Sequence, residues 1–285
     1  MVTLLGQGWR AELRELVISA RESVMVVAPY IKSAEAAWLC ELLDGNADVI
    51  TLSNIEAGAV SAATLDLQAL IHLSSATPDS RLFALPSLHA KVFLADTSAA
   101  IVTSGNLTRS GLDSNLEYGV LMRDRAVVQR VRAHMIGYAR LGSAVAPEHL
   151  ARLLPVEREL REERARLEAT PNPEAKARLD DLLWQAQTSF IDMQVGNRSA
   201  NTVFSEAVLH VLAGGASLTT GEIHERVRAL LPELCDDTVD RVINGRRFGK
   251  RWKHSVRNAQ QSLKEQGRIS YTPESRLWSI VTLER

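Results

Sequence analysis

The sequence predicts an α/β domain, a layered α/β/α arrangement, joined by a helical linker to a smaller module that is mostly helical and ends in a hairpin. Three observations predict it. Helix-like and strand-like patterns alternate over residues 1–145, the signature of a sheet covered by helices on both faces. Within 146–198 the composition turns charged and helical, and 199–285 has helix faces of its own followed by two short strand patterns. The 285 residues suit one large or two ordinary domains, and 46% hydrophobic content allows a sizeable core.

In chain order, Trp9, Leu13, Leu16, Val17 and Ala20 mark a first helix, and Val24 to Ala28 a strand ending in the turn Pro29-Tyr30. Ser33 to Leu43 reads as a helix, Asp48 to Leu52 as a strand and Ala57 to His72 as a helix. Two apolar strands follow, one carrying His89, Lys91 and Val92 to Ala95, the other Ala99 to Val102 leading to Asn106. Tyr118 to Met122 is a third, and Val127 to Leu141 a covering helix. In the linker, Glu157 to Arg161 and Glu162 to Arg166 are i, i+4 pairs of an exposed helix. Asn172-Pro173 opens another, whose seam of Leu179, Leu183, Ala186, Phe190 and Met193 wants a partner, either its own domain or a second copy.

In the last stretch Phe204, Val208, Val211 and Leu212 form a helix face that Gly214-Gly215 breaks. Thr219 to Glu222 is a capping box for a helix with Ile223, Val227 and Leu230 inward. Pro232 and Asp236-Asp237 mark a turn and a third helix running to Val242. A final helix, Arg251 to Gln266, buries Trp252, Val256, Ala259 and Leu263 and stops at Gly267. Arg268 to Tyr271 and Arg276 to Ile280 then pair as a hairpin.

The candidate chemistry lies in the middle of the first domain. His89 and Lys91, two apart on a strand, leave the same face, so an imidazole and an ammonium share one wall. A nucleophilic nitrogen beside a fixed cation suits attack on a phosphodiester, whose charge must be stabilised in the transition state. Asp96, Ser104, Asn106 and Glu117 complete the set, Ser104 and Asn106 as phosphate ligands and Glu117 as the group that orients His89. Taken singly, His89 is a core histidine and Lys91 a snorkelling lysine. An Asp ending a strand is equally a turn former that never touches substrate.

The spacing H-x-K-x4-D followed by Ser-x-Asn, at His89, Lys91, Asp96, Ser104 and Asn106, resembles the phospholipase D superfamily over about the first half of the chain. Thr103 stands where many members have Gly. The resemblance implies a phospholipase D-like fold and a two-step exchange needing neither metal nor cofactor. One histidine attacks phosphorus to give a phosphohistidine, a second protonates the leaving oxygen, and Lys91, Ser104 and Asn106 cradle the phosphate. His72, His134, His149, His210, His224 and His254 all lack a lysine two residues on. The second histidine must then come from another chain, which predicts a two-fold homodimer through the catalytic domain.

The net charge of −1 hides a basic segment near the C-terminus, from Arg246 to Arg268, with Glu265 its only acid. Helices followed by a hairpin resemble a winged helix-turn-helix, with Arg246, Arg247, Lys250, Arg251, Lys253 and Arg257 expected at DNA phosphates or base edges. His254 reads as a surface or packing histidine. Two cysteines, one in each domain, indicate no disulfide framework or cysteine zinc site. Charges within residues 1–16 and the lack of long apolar runs predict a cytoplasmic protein without membrane partners. The reading that unites these features is a metal-independent DNA endonuclease of restriction or defence type. The alternatives are a phospholipase D-type lipid hydrolase or transferase, and a DNA-binding regulator whose phospholipase D-like domain is not catalytic.

Overall fold

A computed structural model describes residues 2–43, 45–85, 88–195, 200–212, 217–232, 234–243 and 246–281. The chain divides into two compact units, Met1–Gly196 and Asn197–Arg285. The first unit begins β1 (Val2–Leu5), α1 (Arg10–Ser19), β2 (Ser23–Val27), α2 (Ser33–Leu43), β3 (Asp48–Ser53), α3 (Ala57–Ser61), α4 (Leu67–Ser74) and β4 (Arg81–Ala84). It continues β5 (Val92–Ala95), β6 (Ala99–Thr103), a π-helical turn at Ser110–Ser114, β7 (Gly119–Met122), α5 (Arg125–Leu141), β8 (Ser143–Val145), α6 (Pro147–Ala169) and α7 (Pro173–Val195).

The eight strands form one mixed sheet in the order β1-β7-β6-β5-β2-β3-β4-β8. β2, β3 and β4 are parallel, whereas β5, β6, β7 and β1 pair antiparallel in succession outward from β2. β2 and β5 bury every residue, because central strands covered on both faces carry continuous rather than alternating apolar runs. Val24 and Val26 join Leu13, Leu16 and Leu39 of α1 and α2 in the main core. Met25 points to the opposite face, beside Ile136 and Ala139 of α5.

Several expectations give way here. The short edge strands β1 and β8, and β4, have no counterpart in the sequence patterns; their partners are distant in the chain, and β1 leaves Val2 and Leu4 exposed. The helix expected over Ala57–His72 is two helices, because Ala63 takes φ 52° and the Asp66 carboxylate accepts from Ser33 N and pairs with Lys32 and Arg161. His89 and Lys91 lie in an extended lead-in, not on a strand proper, since β5 begins at Val92; the Lys91 carbonyl still accepts from Thr103 N at 3.1 Å. In α7, Leu179, Ala186 and Phe190 are buried in the core of this same unit, so the seam finds its partner there. The Met193 side chain lies outside the described residues.

The second unit contains α8 (Ala200–Leu212), β9 (Leu218–Thr219), α9 (Thr220–Leu230), β10 (Asp240–Ile243), β11 (Arg246–Lys250), α10 (Arg251–Glu265), β12 (Ile269–Thr272) and β13 (Leu277–Ile280). Its core joins Phe204, Val208 and Leu212 to Ile223, Val227, Trp252, Val256 and Leu263, all buried. The capping box is present: Thr219 Oγ1 accepts from Glu222 N, and the Glu222 carboxylate accepts from Thr219 N. The hairpin β12-β13 is joined by β9 into a three-stranded sheet. The expected break at Gly214-Gly215 lies outside the described residues.

The third helix expected to run to Val242 is instead a turn and strand β10, paired antiparallel with β11. Asp236 Oδ1 accepts from both Thr238 N and Thr238 Oγ1, an Asx turn, and the β-branched Val239, Val242 and Ile243 favour extended backbone. Arg246, Arg247 and Lys250 therefore sit on a two-stranded ribbon, and only Arg251, Lys253 and Arg257 on the helix. No described helix in either unit is long and apolar enough to cross a membrane.

Candidate active site

The register of three neighbouring strands builds the site. β5 starts where β6 ends, Val92 facing Val102, and β7 starts where Gly119 faces Thr103. The segments just outside those ends, His89 to Lys91, Ser104 to Asn106, and Asn115 to Tyr118, meet at one edge of the sheet. Asp96 follows the other end of β5, where Ala95 faces Ala99 and Val24. About 3.3 Å per residue puts the length of that strand between Lys91 and Asp96.

Lys91 is the buried member, 7% exposed, and His89 is exposed. The Lys91 ammonium donates to the His89 carbonyl at 2.8 Å and stands 3.1 Å from Nδ1 and 3.2 Å from Nε2 of the same ring. A neutral imidazole offers one lone pair, so the ammonium bonds one nitrogen and straddles the edge between both. Burial lowers the pKa of Lys91, and the Glu117 carboxylate pulls it partly back up.

Ser104 Oγ donates to Glu117 Oε2 and accepts from Tyr118 N at 3.0 Å. Glu117 Oε1 accepts from Asn115 Nδ2 at 3.1 Å. The hydrogen bonds of Glu117 among the described residues go to Ser104 and Asn115, and it reaches the His89–Lys91 pair through its charge on Lys91. Among the described residues the Oδ1 atom of Asn106 is buried without a hydrogen-bond partner. Such an atom is costly to leave unsatisfied unless a ligand meets it, or meets the amide nitrogen after a 180° turn of the group.

The loop that carries Ser104 and Asn106 is held from behind. Trp9 Nε1 donates to the Gly111 carbonyl at 2.7 Å, and Thr103 Oγ1 accepts from Gly105 N at 3.2 Å. A Cβ on Gly105 would stand 2.9 Å from the Gly111 carbonyl oxygen and 2.9 Å from Trp9 Nε1, so only glycine passes between them. Trp9, Thr103 and Asn115 escaped the sequence reading as parts of the site. The spacing Asn115-x-Glu117 was the available signal for one of them. Beyond Asn106 and Glu117 opens a cleft of about 930 Å³ whose walls include Tyr30, Lys32 and the exposed Arg109.

Asp96 stands apart from this group, at the other end of β5, in the bracing position that an Asp ending a strand equally suggests. Its carboxylate accepts from the backbone N–H of Arg21, Glu22 and Ser23 at 2.8 to 2.9 Å, at a φ of 48°. Burial alone would raise its pKa; those three N–H groups and nearby Arg132 outweigh it and hold the carboxyl below its ordinary value.

Residues 13–138 match the family model described as "Cardiolipin synthase, PLD-like domain". Nuc from Salmonella typhimurium, described as a phospholipase D family member, aligns over 50% of this chain and 98% of its own, at 17% identity and a TM-score of 0.43. NucT from Helicobacter pylori aligns over 48% and 94%, at 14% identity and 0.41. Phosphatidylserine synthase from Haemophilus influenzae aligns over 93% and 69%, at 12% identity and 0.42. None of the curated proteins matches the chain. The segment matched by the family model contains His89, Lys91, Ser104, Asn106 and Glu117, and its fold is phospholipase D-like.

Proposed function

We propose that this phospholipase D-like domain is the catalytic half of a metal-independent DNA endonuclease of restriction or defence type, acting through a phosphohistidine in a homodimeric site. The observation that carries the reading is the buried Lys91 ammonium held against both ring nitrogens of the exposed His89. In the first step a His89 ring nitrogen attacks phosphorus, the bond to the leaving oxygen breaks, and the partner's His89 gives that oxygen a proton. Water then attacks the phosphohistidine, giving a proton to the partner's His89, and the P–N bond breaks to release the first His89 ring. Lys91, Ser104 and Asn106 spread the charge on the non-bridging oxygens, the task that metal ions perform in other phosphodiesterases.

Dimerisation is supported by the single His-x-Lys of the sequence and by Leu116 and Tyr118, 92% and 65% exposed on either side of Glu117. Apolar side chains standing in water beside a polar site favour a covering partner. The DNA reading is supported by the second unit. Its order of helix, strand, helix, two-stranded ribbon, helix and hairpin, with β9 added to the hairpin, resembles a winged helix in which the ribbon β10-β11 stands between α9 and α10, and α10 turns Arg251 and Arg257 outward while Trp252 and Val256 fill the core. A second reading, lipid phosphodiester exchange, is favoured by the description of the matching family model.

Cleavage of plasmid and single-stranded DNA in excess EDTA, with His89→Ala alongside, tests the proposal. Cutting by the wild type and none by the variant is the expected result. Turnover of phospholipid vesicles with no cutting of any DNA form would replace it with the lipid reading.

A further inference from the structure

We propose that the cleft between the β10-β11 ribbon and α10 binds a backbone phosphate of a nucleic-acid strand, with Arg241 and Arg251 as its ligands and His254 as the residue that positions Arg241. The inference rests on the nucleic-acid reading above and names where that reading is realised in the second unit.

The ribbon pairs only with itself among the described strands, so it stands on α10 and not on the three-stranded sheet. It leaves a cleft of about 410 Å³ whose helical wall is Arg251, His254, Ser255 and Asn258. These positions, at i, i+3, i+4 and i+7, make one stripe of α10. Trp252, Val256, Ala259 and Leu263 make the other, and all four are buried. The apolar stripe secures the helix, and the polar stripe is left to face the ribbon.

Donors dominate this cleft. Arg251 and Asn258 are exposed, and neither side chain has a hydrogen bond or ion pair among the described residues. Asp240, the acid of the cleft, is occupied: its carboxylate meets Lys250 at 2.8 Å and Arg247 at 3.6 Å. Two guanidinium groups with unspent N–H donors and no free carboxylate between them form an anion site, and the fork of arginine suits phosphate oxygens.

His254 is the structural pivot. Arg241 Nη1 lies 3.1 Å from His254 Nδ1, and an arginine can only donate, so Nδ1 is the acceptor. The ring proton is then on Nε2, which donates to the Phe248 carbonyl. One neutral imidazole thus ties β11 to α10 and aims Arg241 from β10 into the cleft. The assigned tautomer also leaves the local positive charge to the arginines. Val242 of the cleft wall is 56% exposed, an apolar surface on which a sugar or base can rest.

The test is equilibrium binding of the full chain to a fluorescent DNA strand and duplex over a salt series. Arg241→Ala is expected to weaken binding about tenfold and to reduce the slope of log affinity against log salt by about one, the value of one phosphate contact. Arg226→Ala, which removes an exposed arginine of α9 outside the cleft, should leave both unchanged. His254→Ala should weaken binding, and His254→Gln should restore it, because the glutamine amide can accept from Arg241 and donate to the Phe248 carbonyl. Arg241→Lys keeps the charge and should keep the slope while losing affinity, which separates lost contact from lost fold.

Wild-type affinity and slope in both Arg241→Ala and Arg251→Ala would overturn the cleft and leave the nucleic-acid reading standing on other residues. No binding of either DNA by the wild type would overturn both. Equally tight, Arg241-dependent binding of a nucleoside monophosphate would overturn the assignment to a strand.

Discussion

Lys91 keeps its positive charge in a buried place that works against it. Burial lowers its pKa, and the carboxylate of Glu117 opposes that fall. The cation that the proposed phosphate binding requires is therefore lost at lower pH than for a free lysine, near 10.4. In a profile of kcat/KM against pH, the alkaline limb should begin its descent below that value. Glu117→Gln removes the carboxylate charge, so Lys91 should deprotonate at still lower pH and the limb should move further in the acid direction. A limb that stays in place while kcat falls would assign Glu117 to holding Ser104 and Asn115 alone. At the same scale, His89 was legible from its spacing to Lys91, because two residues of extended chain share a face whatever surrounds them. The partners of Glu117 were not legible, since a carboxylate between strands can reach several donors and only coordinates choose among them.

At the scale of elements, Asp96 shows how a motif position can serve the frame. It closes β5 and gathers the three backbone N–H groups that lead into β2, joining segments more than seventy residues apart. Asp96→Ala should cost about 2 kcal/mol in stability, the range for hydrogen bonds to a charged group, and should leave cleavage per folded molecule intact. Because the folded carboxyl titrates below its ordinary pKa, this stabilisation is complete above about pH 4 and fades as pH falls through the lowered value. Thermal melts of wild type and Asp96→Ala should therefore converge in strong acid. Loss of cleavage at full stability would return Asp96 to the site. The ribbon β10-β11 makes a complementary point. Charged turn residues and β-branched ones alternate there at a density compatible with either a short helix or a hairpin, and the register of Asp240 with Lys250 decides it.

At the scale of the whole molecule, the proposed chemistry requires two imidazoles where one chain brings one His-x-Lys. Specific activity should fall on dilution as dimers separate. Leu116→Glu, which puts charge on a residue 92% exposed beside the site, should lower the apparent molecular mass in equilibrium sedimentation and abolish cleavage without lowering the melting temperature of the protomer. Full activity from a sedimenting monomer would remove the shared site from the account.

What the sequence determined by itself is local. The spacing of His89 and Lys91, the turn with Ser104 and Asn106, the capping box at Thr219 and the apolar stripe of α10 all lie within one element or one turn, where the backbone repeat alone says which side chains stand together. The tertiary structure decided which distant segments became neighbours. It put Asp96 at the far end of the sheet, clamped the Asn106 loop with Trp9, seated the α7 seam on its own unit and set Arg241 against His254. Those outcomes depend on strand order and on loops of many residues closing on one another, and no periodicity within a single segment records them.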